Sequence, residues 1–168
     1  MELYQKIMSY AVRLLSRRRY AVNELKKKLL QKFGSEEMTP ETRSAIEKTI
    51  ARLVELKYLN DDEFVALFIR DQLLRKAQGA RVIAQKLKQK GIDAEIINKT
   101  IATHWNGKGE LEQAVIAARK KGSSLNREAQ PSRNQESRQK NKEKIFRFLA
   151  ARGFSQGTAL KALKELGY

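Results

Sequence analysis

Side chains able to perform acid–base or metal chemistry are scarce in this sequence. His104 is the only histidine and the chain has no cysteine, which rules out a multi-histidine or thiolate metal site. Asp61, Asp62 and Glu63 are more typical of a helix start than of a metal site, because adjacent side chains do not project toward one point. The phosphate-binding loops GxxxxGK(S/T) and GxGxxG are absent. We therefore predict no catalytic residue, no metal site and no cofactor, in a protein that is not an enzyme.

Positive charge is the strongest chemical signal of the chain. The 168 residues carry a formal net charge of +16, divided as +6 in residues 1–60, +3 in 61–108 and +7 in 109–168. This distribution favours a polyanion that runs along the whole molecule. Solvated, solubilising charge is the alternative interpretation. The candidate phosphate contacts are Arg17, Arg18, Arg19, Lys26, Lys27, Lys28, Lys32, Arg70, Arg75, Lys76, Arg81, Lys86, Lys88, Lys90, Arg119, Lys120, Lys121 and Arg152.

The elements that must position these cations are helices, and their end signals are most complete between residues 57 and 92. Asn60 is placed to cap one helix, with Glu63 reaching back as in a capping box. A second helix should begin after Gly79 and stop at Gly91, which can adopt the left-handed conformation of a Schellman ending. Asp93 then caps a third helix. The spacing predicts three short helices joined by tight turns.

The same spacing recurs about 60 residues before and after this stretch, which indicates tandem repeats. Two apolar positions and one cationic position align in each copy: Leu25, Leu29 and Lys32; Ile83, Leu87 and Lys90; Ile145, Leu149 and Arg152. Gly153 falls on Gly91 and Ser155 on Asp93. We predict an all-α fold, an elongated array of three three-helix modules over residues 1–58, 59–106 and 109–168.

Further helices follow from apolar periodicity and end signals. They are predicted over 3–16, 22–33, from Pro40 toward Tyr58 with Thr39 as the cap, over 111–121, 140–152 and 156–166. The helix from Pro40 should bury Ile46, Ile50, Leu53 and Val54. The polar segment 122–139 is predicted as a flexible loop around Pro131, with a polar extension of either neighbouring helix as the alternative. The sequence contains neither a signal peptide nor a membrane span, so we expect a cytoplasmic protein. We also expect it to be a monomer.

Four separated blocks of the sequence form a recognisable set: YLNDDEF at 58–64, FIR at 68–70, QKGI at 89–92 and FLAARGF at 148–154. In this order they resemble the bacterial RecX family, modulators of the RecA recombinase. The resemblance covers most of the chain and is strongest from Tyr58 to Ile92. It implies an elongated protein of three three-helix repeats, in agreement with the spacing above.

The resemblance also implies a function in DNA recombination, DNA repair and the SOS response. Such a protein would bind the groove of the RecA–single-stranded-DNA filament and inhibit ATP hydrolysis, filament extension and strand exchange. The expected partners are the RecA filament and the phosphate backbone of single-stranded DNA, with double-stranded DNA as a further candidate, and no membrane. The alternative is a general basic DNA-binding or nucleoid-associated helical protein without a recombinase partner.

Overall fold

The computed structural model describes residues 2–34, 39–104, 107–128 and 135–168; the side chains of residues 74–76, 104, 107–108 and 126–128 also lie outside the description. The elements in these ranges are α-helices, which confirms the predicted class. They are α1 (Glu2–Leu15), α2 (Val22–Phe33), α3 (Pro40–Glu55), α4 (Asp61–Lys76), α5 (Ala80–Gln89), α6 (Ala94–His104), α7 (Gly107–Glu128), α8 (Gln135–Ala151) and α9 (Gln156–Glu165). Within the described ranges, none of these helices is both long and apolar enough to cross a membrane.

Side-chain caps begin four of the helices, as the sequence indicates. Thr39, Asn60, Asp93 and Ser155 each accept a hydrogen bond from a backbone N–H of the following turn, at 2.7–3.2 Å. The capping box at Asn60 is not completed, because the Glu63 carboxylate instead binds Arg19 at 2.6 Å. The start of α4 is therefore fixed partly by its own sequence and partly by a residue 44 positions earlier.

The chain forms two compact units, and the first (unit 1) contains residues up to Ala66 together with Leu87–Ile97. Its core lies among α1, α2 and α3 and includes the fully buried Ile7, Leu25, Leu29, Ile46 and Leu53. The prediction for Val54 is wrong, since its side chain is 44% exposed. The buried stripe of α3 follows Ile46, Ile50 and Leu53, and the next residue points about 100° further round the helix.

The second compact unit (unit 2) contains Leu67–Lys86 and the chain from Asn98 onward. Its core joins α7, α8 and α9 and includes Ala114, Ala118, Leu125, Ile145 and Leu149. Residues aligned by the predicted repeat are fully buried in both units: Leu25, Leu29, Ile83, Leu87, Ile145 and Leu149. The division into three modules stays a prediction.

The prediction of a loop over 122–139 is wrong for the described part of that segment. Helix α7 continues to Glu128 and α8 already begins at Gln135, so both neighbouring helices are extended. The extension of α7 buries Leu125, on the same stripe as Ala114 and Ala118. A Cβ at Gly122 would lie only 3.2 Å from Tyr168 Oη, so the glycine permits close packing there. The expected turn around Pro131 lies outside the described residues.

Turn glycines form a close contact in each unit. In unit 1, Gly91 adopts φ +80° after α5 and its carbonyl accepts a hydrogen bond from Asn23 Nδ2 at 2.6 Å. In unit 2, Gly153 adopts φ +86° after α8, and a Cβ there would lie 2.6 Å from Val82 N. Gly79 donates its N–H to the Arg152 carbonyl at 2.9 Å. In both contacts a turn glycine abuts the N-terminal region of a second helix, either α2 or α5, at distances that leave no room for a side chain.

Candidate nucleic-acid interface

Many of the predicted phosphate contacts are exposed and have no ion-pair partner among the described residues. Those of unit 1 lie after α1, along α2 and on α5; those of unit 2 lie on α4, α5 and α7. Such side chains can reach phosphate without giving up a protein partner. They are Arg17, Lys27, Lys28, Lys32 and Lys88 in unit 1, and Arg70, Arg81, Arg119 and Lys120 in unit 2. Lys121 is half-buried.

Other predicted contacts are held by protein groups. Lys26 pairs with Glu47 at 3.5 Å, and Arg19 with Glu63. The ammonium of Lys86 donates to Gln78 Oε1 at 2.6 Å and to a second amide, of Gln72, at 3.2 Å. Arg152 lies over the Phe148 ring, 4.6 Å from its centre. The side chains of Arg75 and Lys76 lie outside the described residues.

Two further cations converge on Glu24, which is 19% exposed. Arg18 approaches both carboxylate oxygens at 3.2 Å, and Lys90 approaches Oε1 at 2.8 Å. Burial by itself would raise the pKa of Glu24, but the hydrogen bonds from Arg18 and Lys90 hold this pKa below its ordinary value. Arg18 also lies over the Tyr20 ring at 3.7 Å. These cations thus join α2 to the end of α5 within unit 1.

Replacing Glu24 by glutamine is expected to destabilise the protein by about 2 kcal/mol at neutral pH, because Arg18 and the largely buried Lys90 both lose their counter-charge. The folded-state pKa of Glu24 is lowered, so this stabilisation is present above the unfolded-state pKa and is lost as pH falls through the folded value. Urea unfolding at a series of pH values should therefore show the difference from wild type shrinking below about pH 4.3. A difference independent of pH would contradict this reasoning. Exposed Glu112, changed to glutamine, serves as the control.

Asp61 has a role that the sequence reasoning missed. Ala21 precedes α2 and has no side-chain acceptor, and the N–H of Val22 donates instead to Asp61 Oδ1 at 2.9 Å. Burial raises the pKa of Asp61, although the hydrogen bond from Val22 opposes that change. The alanine at the N-cap position was a signal that an acceptor must come from elsewhere. Among the residues with described positions, no group of three or more His, Asp or Glu could hold a metal ion.

A surface groove between α1 and the end of α2 combines aromatic and cationic side chains. It has a volume of about 600 Å³ and is lined by Tyr10, Arg13, Lys32 and Phe33, among others. The two rings meet edge to face at 5.6 Å, and the Arg13 guanidinium lies 5.2 Å from the centre of the Tyr10 ring. Rings beside cations suit an unpaired base next to its phosphate. The sequence reasoning named Lys32 but neither Tyr10 nor Arg13.

Two relatives and one family model that match this chain share a name. Residues 60–101 match the family model described as RecX, second three-helix domain. The chain is 37% identical to the regulatory protein RecX of Salmonella newport (strain SL254) over 158 residues, which is 90% of this chain and 86% of the relative. It is 30% identical to the regulatory protein RecX of Mycobacterium sp. (strain JLS) over 152 residues, 90% of this chain and 76% of the relative.

Solved structures with a similar fold carry the same name as the sequence relatives. The crystal structure of RecX from Lactobacillus salivarius superposes with a TM-score of 0.78 at 22% identity, covering 99% of this chain and 97% of that one. A second crystal structure, of a regulatory protein RecX, gives a TM-score of 0.75 at 23% identity and covers 97% and 72%. These likenesses establish the fold. The 37% identity to the Salmonella relative, over 90% of this chain, shows that the chain belongs to the RecX family of regulatory proteins.

Proposed function

We propose that this chain regulates a RecA-type recombinase without catalysing a reaction of its own. It binds in the groove of the filament that the recombinase forms on single-stranded DNA, and it lowers ATP hydrolysis, filament extension and strand exchange. The observation that carries the proposal is the similarity over 90% of the chain to a protein named for regulation. The name of that relative supports a regulatory function, and the positive charge of this chain supports binding to DNA in the filament.

Electrostatic attraction to DNA phosphates supports this role. The net charge of +16 attracts a polyanion, and release of counterions makes such binding strong at low salt and weak at high salt. Exposed cations that have no ion-pair partner among the described residues occur in both units, so each unit can contribute phosphate contacts. We propose that these side chains bind the filament, whereas Arg18, Lys26 and Lys90 remain in ion pairs with carboxylates of the protein.

The test is the DNA-dependent ATPase rate of preformed RecA filaments, titrated with this protein at moderate salt. A progressive fall in rate, at amounts well below one molecule per recombinase subunit, is expected of a regulator that acts on the filament. A polylysine peptide of matched positive charge is the control, since it can only compete for DNA. If the protein and the peptide lower the rate at the same charge ratio, the chain is a general basic DNA-binding protein instead.

A further inference from the structure

The turn between α3 and α4 places a lysine where the other turns of this type, in the part of the chain that the structure describes, place a glycine. After α3, the N–H of Tyr58 donates to the Leu53 carbonyl and that of Lys57 to the Val54 carbonyl, both at 2.9 Å, as in a Schellman ending. Lys57 takes the left-handed position at φ +59°. The same hydrogen-bond pattern ends α5, α8 and α9, where glycine occupies this position each time: Gly91, Gly153 and Gly167. Lysine is therefore accommodated at this turn at a cost in backbone strain.

The residue after this lysine is also unlike its counterparts. A Schellman ending usually turns the following apolar side chain back onto the helix. Ile92 and Phe154 obey this rule and are 5% and 4% exposed. Tyr58, at the same place in its turn, is 67% exposed. The turn thus carries a strained cation and a solvated aromatic ring at adjacent positions, and neither side chain is buried in the core.

Both side chains line a shallow groove of about 210 Å³ in unit 1. The groove also contains Arg19, whose ion pair with Glu63 is more than half exposed on both sides and can exchange with a phosphate. The ammonium of Lys57 has no ion-pair partner among the described residues. An exposed ring beside an unpaired ammonium is complementary to one nucleotide, with its flat base and its charged phosphate. The remaining lining residues are Tyr20, Asn60 and Phe64.

We propose that Lys57 and Tyr58 form a contact for one nucleotide of a single-stranded nucleic acid. The Tyr58 ring stacks on an unpaired base, and the Lys57 ammonium binds the adjacent phosphate. Base faces are accessible in a single strand and are covered by neighbours in a duplex. The ring therefore contributes only to single-strand binding, while the lysine contributes to both. This inference rests on the DNA binding in the proposed function and locates one part of it.

Titration of a labelled thymidine oligonucleotide, and of a duplex of equal length, tests the tyrosine. Tyr58→Ala should weaken single-strand binding by about ten- to a hundredfold and leave duplex binding unchanged, because a base–aromatic stack is lost. Tyr58→Phe keeps the ring and should bind like wild type. Equal losses for single strand and duplex, or no loss for either, would overturn the assignment of Tyr58.

The lysine has a test in which stability and binding change in opposite directions. Lys57→Gly removes the strained side chain, so the midpoint of thermal unfolding should rise by a few degrees. Affinity for the oligonucleotide should nevertheless fall, with the salt slope reduced by about 0.7. Exposed Lys48 on α3, changed to alanine, removes the same charge from the same unit and should leave the slope unchanged. An identical slope change in both variants would show diffuse attraction and overturn the contact.

The recombinase ATPase separates failure of this contact from failure of the proposed function. If Tyr58→Ala keeps its single-strand affinity but loses its effect on the ATPase, the groove meets a protein and the nucleotide assignment is wrong. If wild type binds no oligonucleotide yet still lowers the ATPase, the nucleotide contact fails while regulation of the recombinase stands. If wild type does neither, both proposals fail.

Discussion

Replacing Gly153 by alanine is expected to destabilise the fold by about 3 kcal/mol or more, the largest loss we expect from a single methyl group. Two costs add at this position. The residue has φ +86°, where an L side chain is strained, and the new Cβ would lie 2.6 Å from both the backbone N and Cγ2 of Val82. The backbone atom cannot rotate away as a flexible side chain could. Relief therefore requires the turn after α8 to move away from the start of α5.

Three other glycines separate these two costs. Gly79→Ala brings a Cβ into the backbone carbonyl of Gly153 without a positive φ, so it measures the collision. Gly167→Ala has φ +77° and open space around it, so it measures strain, about 1 kcal/mol. Gly157→Ala in α9 meets neither problem and should be neutral or stabilise slightly. Urea unfolding should show the largest loss of stability for Gly153→Ala, which combines both costs, smaller losses for Gly79→Ala and Gly167→Ala, and none for Gly157→Ala. A Gly153→Ala variant no less stable than Gly167→Ala would refute the close contact.

Neutralising three lysines of α2 should weaken binding to a single-stranded oligonucleotide on the order of a hundredfold at low salt. Lys27, Lys28 and Lys32 are exposed and make no ion pair among the described residues, so their change to glutamine removes phosphate contacts and little else. If each contacts one phosphate, the slope of log affinity against log salt should fall by about 2. Fluorescence anisotropy between low and moderate salt measures both quantities.

The matched control removes the same amount of charge from cations that already have protein partners. Arg52, Lys140 and Arg147 pair with Glu55, Glu136 and Glu143, at 2.8, 2.6 and 3.7 Å. Their combined change to glutamine should alter the slope much less. Equal slopes for the two triple variants would indicate that only net charge matters, which contradicts binding through particular side chains.

Helix ends were the most predictable part of this molecule, because their signals are local. The caps at Thr39, Asn60, Asp93 and Ser155 and the stop at Gly91 all follow from a few neighbouring residues. The extension of α7 was only the alternative prediction, because polar composition from Gly122 onward outweighed one buried leucine. Its stripe of alanine, glycine and leucine is narrow, and alanine gives a weak hydrophobic signal.

The state of individual cations could not be predicted, since it depends on tertiary partners far away in sequence. In the sequence, nothing distinguishes Lys90 and Arg18 from the exposed cations near them. Both nevertheless bind Glu24, which lies 66 positions from Lys90. Asp61 likewise caps a helix that begins 39 positions earlier. Periodicity identifies which face of a helix is polar, but it does not identify the carboxylate that a lysine will meet. The strain at Lys57 was equally invisible, because a lysine gives no signal of the left-handed conformation that glycine usually marks at the end of a helix.

The way the two compact units divide the chain limits how it can be dissected into fragments. Each unit is assembled from two stretches that are separate in sequence, so no single cut releases either one whole. A fragment that ends at residue 58 would contain Asn23 without Gly91, and one that ends at residue 106 would contain Gly79 and Val82 without Gly153. Fragments that end at the predicted repeat boundaries would thus expose one side of a helix contact whose other side is missing. Point substitutions in the full-length chain are the sounder route to mapping its activities.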